Sequence, residues 1–328
     1  MALSESESPW IINLELTNLC QLECVFCDHP VFKKKMRLGC MEDALLSKIL
    51  SDIEQDWSDE KIHELGLVGL GEPSLDKRWT QHLKILREYA HLFDRISLNS
   101  NLVSLNAKKS QEALDSVVNA FTFSINASDR DHYFEMMGTD QFNRVVDNFT
   151  NFLKNLKKTK KDVSVDVQVF DSEKSNLEDL VQLFPGAREQ GVNFFSRKVY
   201  SKPVIQEGSE IVKLHVPVED QRYPCWDIYT RIYIDIDGFL YPCTIGNDSY
   251  RQESELCLGN VLQASLKDIF NNTRNQRARE LFENGKLGYP ECKDCNIWSL
   301  TPNNFDWSDE EGKWLRKTRQ SRAYSLKQ

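Results

Sequence analysis

No stretch of this chain approaches the ~20 consecutive apolar residues of a bilayer-spanning helix, so no membrane partner is expected. The opening Met1–Pro9 is polar and acidic. It lacks the basic start and apolar run of a secretory signal, and a cytoplasmic location is the expectation. Positive charge is scarce as well: 41 Lys and Arg face 50 Asp and Glu, for a formal net charge of -9. That balance argues against a general nucleic-acid partner. There is no internal repeat and no low-complexity segment. What remains is an ordinary globular composition, 40% hydrophobic and 28% charged over 328 residues, long enough for roughly two domains.

Cysteine is the residue in good supply. The count is nine, and an odd number without an export signal argues against a disulfide framework. Cys20, Cys24 and Cys27 form a C-x3-C-x2-C near the start. Cys225 and Cys243 sit far downstream, Cys292 and Cys295 form a C-x2-C, and Cys40 and Cys257 are left over. Four thiolates ordinarily complete an iron–sulfur cluster or a structural zinc site. The first group supplies only three. A three-ligand site leaves one metal position open, which marks catalysis rather than structure. His29 is the alternative fourth ligand, to zinc.

Periodicity predicts alternating strands and helices over the first ~200 residues. Strands are expected at Ile11–Leu16, Leu65–Leu70, Arg95–Asn99, Phe121–Ile125, Val163–Phe170 and Val192–Val199. Helices are expected at Met41–Gln55, Trp79–Ala90, Ala107–Val117, along the face Phe142, Val145, Val146, Phe149, Leu153 and Leu156, and at Leu177–Gln190 with a bend near Pro185 and Gly186. Such alternation implies an α/β fold with a parallel sheet, and six units suit a partial (β/α)6 barrel. Ligands in these folds bind at the carboxyl ends of the strands. The first cysteine group and Gly71-Glu72-Pro73 both follow strands, so both belong at that end. On the fifth strand Asp166 and Gln168 lie opposite the valines, either in a polar lumen or on a solvated edge. Residues 201–220 read as a linker. Beyond them, Arg231–Ile236, the turn Asp237-Gly238 and Phe239–Cys243 predict a hairpin. Ser265 and Asp268 predict the start of one helix running to about Glu283, with Gly285 just past its end. The basic tail, residues 299–328, reads as a solvated end.

Cys20, Cys24 and Cys27, with Phe26 before the last cysteine, resemble the signature of radical S-adenosylmethionine enzymes. The resemblance implies a [4Fe-4S] cluster with three cysteine ligands. Its open iron is chelated by S-adenosylmethionine (AdoMet), whose reductive cleavage gives a 5′-deoxyadenosyl radical that abstracts a substrate hydrogen. Gly71-Glu72-Pro73 resembles the motif that holds the methionine amino group, a carboxylate opposite an ammonium; the plain alternative is a turn. Ser100 and Asn101 resemble the ribose-contacting position, and Ser124 resembles a further cofactor contact. Phe26 would set its backbone against the adenine. Strand capping and packing are the plain alternatives for these four.

The later cysteines resemble the SPASM/twitch extension of the same superfamily, a small α+β unit expected at residues 221–298, after a barrel at residues 1–200. The full SPASM form carries further cysteines after the C-x2-C, and none follows Cys295 here. That departure implies the shorter twitch form, with one auxiliary [4Fe-4S] cluster on Cys225, Cys243, Cys292 and Cys295; structural zinc on the same four is the alternative. The layout is similar to that of family members that oxidise an aminocyclitol hydroxyl. The expected activity is dehydrogenation of a hydroxyl- or amino-bearing carbon of a sugar-like small molecule. Asp166, Gln168 and Arg197 are the candidate substrate contacts, and flavodoxin or ferredoxin is the external electron donor. Three alternatives stand beside it: epimerisation with Cys257 as hydrogen donor, peptide modification, and a non-catalytic metal-cluster scaffold.

Overall fold

The computed structural model describes residues 8–170, 177–197, 224–243, 254–293, 295, 305–308 and 310–316. Strands β1 (Ile11–Leu14), β2 (Ile62–Leu67), β3 (Phe93–Ser100), β4 (Ala120–Asn126), β5 (Ser164–Phe170) and β6 (Val192–Arg197) pair in sequence order, all parallel. Between them run α1 (His29–Phe32), α2 (Asp43–Asp56), α3 (Trp79–Glu88), α4 (Ala107–Leu114), α5 (Arg130–Met137), α6 (Phe142–Leu156) and α7 (Leu177–Gln182). The partial-barrel expectation is consistent with this sheet, whose edges among the described residues are β6 and a two-residue strand, Gly259–Asn260.

Alternation along the strands separates an apolar face from a polar one. Ile12, Leu14, Leu65, Leu67, Ile96, Leu98, Val165 and Val167 are buried on the helix side. Phe121 and Phe123 on β4 stack edge-on against Phe152 of α6, with centroids 5.1 and 4.7 Å away. The opposite face carries Asn13, Glu64, Ser97, Asp166 and Gln168.

Several boundaries differ from those read from the pattern. β2 begins and ends three residues early, and beyond it the Leu70 N–H turns to Glu15 Oε1 at 2.8 Å. The helix expected over Leu177–Gln190 stops at Gln182, and Arg188–Gln190 form a single 3-10 turn after Pro185-Gly186. Lys198, Val199 and the linker at 201–220 lie outside the described residues. The single helix expected from Ser265 is two, α9 (Leu266–Phe270) and α10 (Thr273–Glu283), after a short α8 (Asp227–Thr230). Asn272 breaks it, turning extended so that its side chain caps the Asn275 N–H.

The predicted hairpin is present as β7 (Arg231–Ile234) and β8 (Phe239–Tyr241), with β9 (Gly259–Asn260) beside it. It does not form a separate sheet. β7 pairs in parallel with β1 and extends the sheet to nine strands, in the order β6-β5-β4-β3-β2-β1-β7-β8-β9. Within the tail, β10 (Phe305–Ser308) and β11 (Lys313–Arg316) form an antiparallel pair.

Candidate active site

The loop bearing Cys20, Cys24 and Cys27 follows the carboxyl end of β1 and is clamped from two sides. On one side Glu72 N–H donates to Leu19 carbonyl at 2.8 Å. A Cβ on Gly71 would stand 2.2 Å from the Thr17 carbonyl oxygen and 2.7 Å from Asn18 Cα, so only glycine allows this approach. On the other side Glu23 and Val25 N–H groups donate to the Met137 and Met136 carbonyls, each at 3.1 Å. Gly138, at φ +70°, ends α5 here, and a Cβ would meet the Glu23 carbonyl oxygen at 2.4 Å.

The thiols disfavour one another's ionisation. Burial pushes Cys20 up to about 12, with the charges of Glu72 and Cys27 adding to it. Cys24 is driven further upward by burial, then by Cys27 and Cys20. Buried thiols that oppose each other's ionisation become thiolates readily only when a cation neutralises them, so the donor set suits a metal group. Among the described residues, no three His, Cys, Asp or Glu side chains are drawn tightly enough around one point for a single ion. The His29 ring is engaged elsewhere, with Nε2 at 2.8 Å from the Asn18 carbonyl, and burial lowers its pKa.

Glu72 is the hub of the neighbouring loop. It is buried; Oε1 accepts from Ser74 N–H at 3.1 Å, from Ser74 Oγ, and from Ser100 Oγ at 2.8 Å, while Oε2 accepts from Asn101 N–H at 2.7 Å. Burial holds its carboxyl above the usual range, against these donors. Asn101 then reaches the cysteine loop: Nδ2 lies 3.7 Å from Cys20 Sγ and Oδ1 accepts from Gln21 Nε2 at 2.9 Å. Leu102, the next residue, is buried with φ 68°. Asn148 Nδ2 holds this strained turn through the Leu102 carbonyl at 2.7 Å. The structure thus brings together Cys20, Cys24, Cys27, Gly71, Glu72, Pro73, Ser100 and Asn101.

The remaining candidates fall around them. Phe26 packs edge-on against Phe170, with centroids 4.5 Å apart. Ser124 Oγ accepts from Gln168 Nε2 at 2.7 Å, leaving its own O–H to donate elsewhere. Asp166 accepts from Asn193 Nδ2 at 2.8 Å and stands 3.9 Å from Arg95. The Arg197 side chain lies outside the described residues. Cys40 joins neither group: its thiol is 3.5 Å from Thr17 Oγ1 and accepts from Lys77 N–H at 3.3 Å.

Tyr133 is the residue the pattern did not disclose. Its side chain is fully buried and its hydroxyl has no hydrogen-bond partner among the described residues. Burial, then the charges of Cys24, Cys20 and Glu72, pushes its ionisation upward. The signals that could have found helix α5 are its start and stop: Asp129 caps the His132 N–H at 2.9 Å, and Gly138 closes the last turn.

Two cysteines of the second group bracket the hairpin. Cys225 precedes α8 and β7, and Cys243 follows β8, so both lie opposite the Asp237-Gly238 turn. Burial raises Cys225 well above its ordinary value, with Asp227, Cys292, Cys243 and Cys295 contributing. Because β7 parallels β1, the two cysteine groups occupy opposite ends of this pair, which spans roughly 13 Å at ~3.3 Å per residue. Residues 225–296 match the SPASM family, an iron–sulfur cluster-binding domain. All four cysteines of the second group lie within the matched stretch.

No curated protein sequence matches the chain. Solved structures share the fold. BtrN in complex with AdoMet and 2-DOIA is similar with a TM-score of 0.54 and 17% identity, over 89% of this chain and 94% of that one. SuiB of Streptococcus suis bound to precursor peptide SuiA gives 0.64 and 13%, over 89% and 71%. A structure of anSMEcpe with bound AdoMet and a peptide gives 0.55 and 15%, over 88% and 87%. The matched stretch therefore sits within a fold shared across nearly the whole chain.

Proposed function

We propose that the chain is a radical AdoMet enzyme. In this reading Cys20, Cys24 and Cys27 hold a [4Fe-4S] cluster with an open iron. Cys225, Cys243, Cys292 and Cys295 of the SPASM unit hold one auxiliary [4Fe-4S] cluster. The observation that carries the reading is Asn101, which links three sequence-distant motifs. Its N–H binds Glu72 and its side chain lies against Cys20 and Gln21. When bound, the cluster and AdoMet supply a one-electron bond cleavage that yields a hydrogen-abstracting radical.

The protein's own groups bind and orient. Glu72 offers a buried carboxylate to the AdoMet ammonium, a charge pair strengthened by the dry surroundings. Ser100 and Asn101 stand at the strand end beside it, toward the ribose, and the Phe26 backbone toward the adenine. Gln168 orients Ser124 so that its hydroxyl donates to the cofactor. The polar face of the sheet, with Asp166, offers hydrogen bonds to a hydroxylated or amino-bearing substrate. We favour dehydrogenation of such a sugar-like molecule, in which a cluster held by Cys225, Cys243, Cys292 and Cys295 would supply an acceptor for the one electron that the substrate gives up along with its proton. An external one-electron donor of the flavodoxin or ferredoxin kind resets the first cluster. A cytoplasmic, reducing setting suits cysteines that are not joined in disulfides. A peptide substrate is the second reading, favoured by the TM-score of 0.64 to a peptide-bound structure.

The test is anaerobic reconstitution. About eight irons per chain are expected, four per cluster, with AdoMet cleavage that Cys24→Ala abolishes. Iron near four, or cleavage that persists in Cys24→Ala, overturns the reading.

A further inference from the structure

Helix α5 presents Tyr133 and Met137 one turn apart on one face. Met137 Sδ stands 3.9 Å from Cys24 Sγ, and the Met136 and Met137 carbonyls pin the cysteine loop. Tyr133 lies one turn before Met137 on that face, close enough for the charges of Cys24, Cys20 and Glu72 to act on its hydroxyl. Its hydroxyl is completely buried and has no partner among the described residues. Such a group is unfavourable unless an acceptor reaches it. Glu72 is not that acceptor, because no hydrogen bond joins its oxygens to the Tyr133 hydroxyl. A group bound by the thiols would bring such an acceptor within reach.

We propose that the Tyr133 hydroxyl donates a hydrogen bond to a sulfur of the cluster held by Cys20, Cys24 and Cys27, and so sets that cluster's reduction potential. This rests on the cluster reading given above. A hydrogen bond to a cluster sulfur stabilises the electron-rich reduced form more than the oxidised form, which raises the potential. Tyr133 is then a positioning and tuning residue, with no proton to deliver in the reaction.

The experiment is a redox titration of the reconstituted holoenzyme followed by electron paramagnetic resonance, comparing the parent with Tyr133→Phe. The ring and its packing against Phe142 are kept. The first cluster's midpoint potential is expected to move negative, while the auxiliary cluster's stays fixed and serves as the internal reference. An unmoved potential with iron content and AdoMet cleavage intact overturns the proposal. So does an unmoved potential with AdoMet bound several-fold more weakly, which would assign the hydroxyl to the cofactor's carboxylate. A second arm tolerates failure of the Phe variant to fold: 3-fluorotyrosine installed at position 133 is a stronger donor of nearly the same shape, and it is expected to move the potential positive. No shift there also overturns the proposal. A parent protein lacking the first cluster's iron and signal would instead remove the cluster reading, and the proposal with it.

Discussion

The Glu72 carboxylate accepts the Asn101 backbone N–H at 2.7 Å, joining the loop after β2 to the end of β3. Burial keeps Glu72 protonated to a higher pH than an exposed glutamate. In the ligand-free protein the native state therefore holds this proton where the unfolded chain has lost it. The Glu72 contribution to stability falls as pH rises from the ordinary carboxylate value through the raised native one. AdoMet binding should run the other way, because the cofactor's ammonium favours the ionised form. The expected outcome is affinity that strengthens over that window and proton release on binding, read by isothermal titration in buffers of different ionisation enthalpy. Glu72→Gln should lose this dependence. It should also destabilise the fold by about 1–3 kcal/mol, since an amide cannot accept from four donors.

Gly71→Ala tests the approach of the two loops. The added methyl meets backbone, the Thr17 carbonyl at 2.2 Å and Asn18 Cα at 2.7 Å, so no side-chain rotation relieves it. A loss of about 1–3 kcal/mol is expected in chemical unfolding, together with poorer iron retention by the Cys20 group. Gly191→Ala is the control for backbone conformation alone, having a positive φ of 83° and nothing within 4 Å of its Cβ. It should leave iron retention unchanged.

Much of this site was legible because its chemistry is local in sequence. The spacing of Cys20, Cys24 and Cys27 and the Gly71-Glu72-Pro73 turn are short motifs, and strand polarity alone assigned both to one end of the sheet. The valines of β5 and the apolar face of α6 declared their elements through periodicity. Tyr133 was hidden because its partners are distant in sequence and its helix is short and mostly polar on the outside. The pairing of β7 with β1 was hidden because a hairpin specifies its own register and says nothing about which edge it joins. The break at Asn272 was passed over because Asn is tolerated inside a helix, and only the Asn275 N–H shows it acting as a cap.

Lys161 offers a pH prediction remote from the site. Its ammonium donates to the Ser116 carbonyl at 2.7 Å and to the Val118 carbonyl. Burial, and then Arg87, lower its pKa from 10.5 to about 8. The unfolded chain binds this proton between those values and the native state does not, so the Lys161 contribution to stability rises as pH climbs from about 8 to 10.5. Because the group is half-buried, solvent screening keeps the effect below the ~1.4 kcal/mol that a tenfold change in proton affinity carries without screening. Denaturation midpoints of the parent and Lys161→Met across that range are expected to converge at the alkaline end. Parallel curves would show that the ammonium is not perturbed.

Cys257 decides between the two chemistries. Its thiol is raised by burial and by Asp235, while the Gly259 N–H and the Tyr241 hydroxyl bond it; that hydroxyl also lies 3.4 Å from Asp235. A thiol held neutral by its surroundings is a competent hydrogen-atom donor, which is what epimerisation requires of it. It is equally what a small buried hydrophobe looks like. Turnover in deuterated water with the true substrate separates them. Oxidation predicts a product two mass units lighter, formed equally well by the parent and by Cys257→Ala. Solvent deuterium at an inverted carbon, lost in Cys257→Ala, would instead place the last hydrogen transfer on this thiol. The auxiliary cluster would then no longer be needed as an electron acceptor.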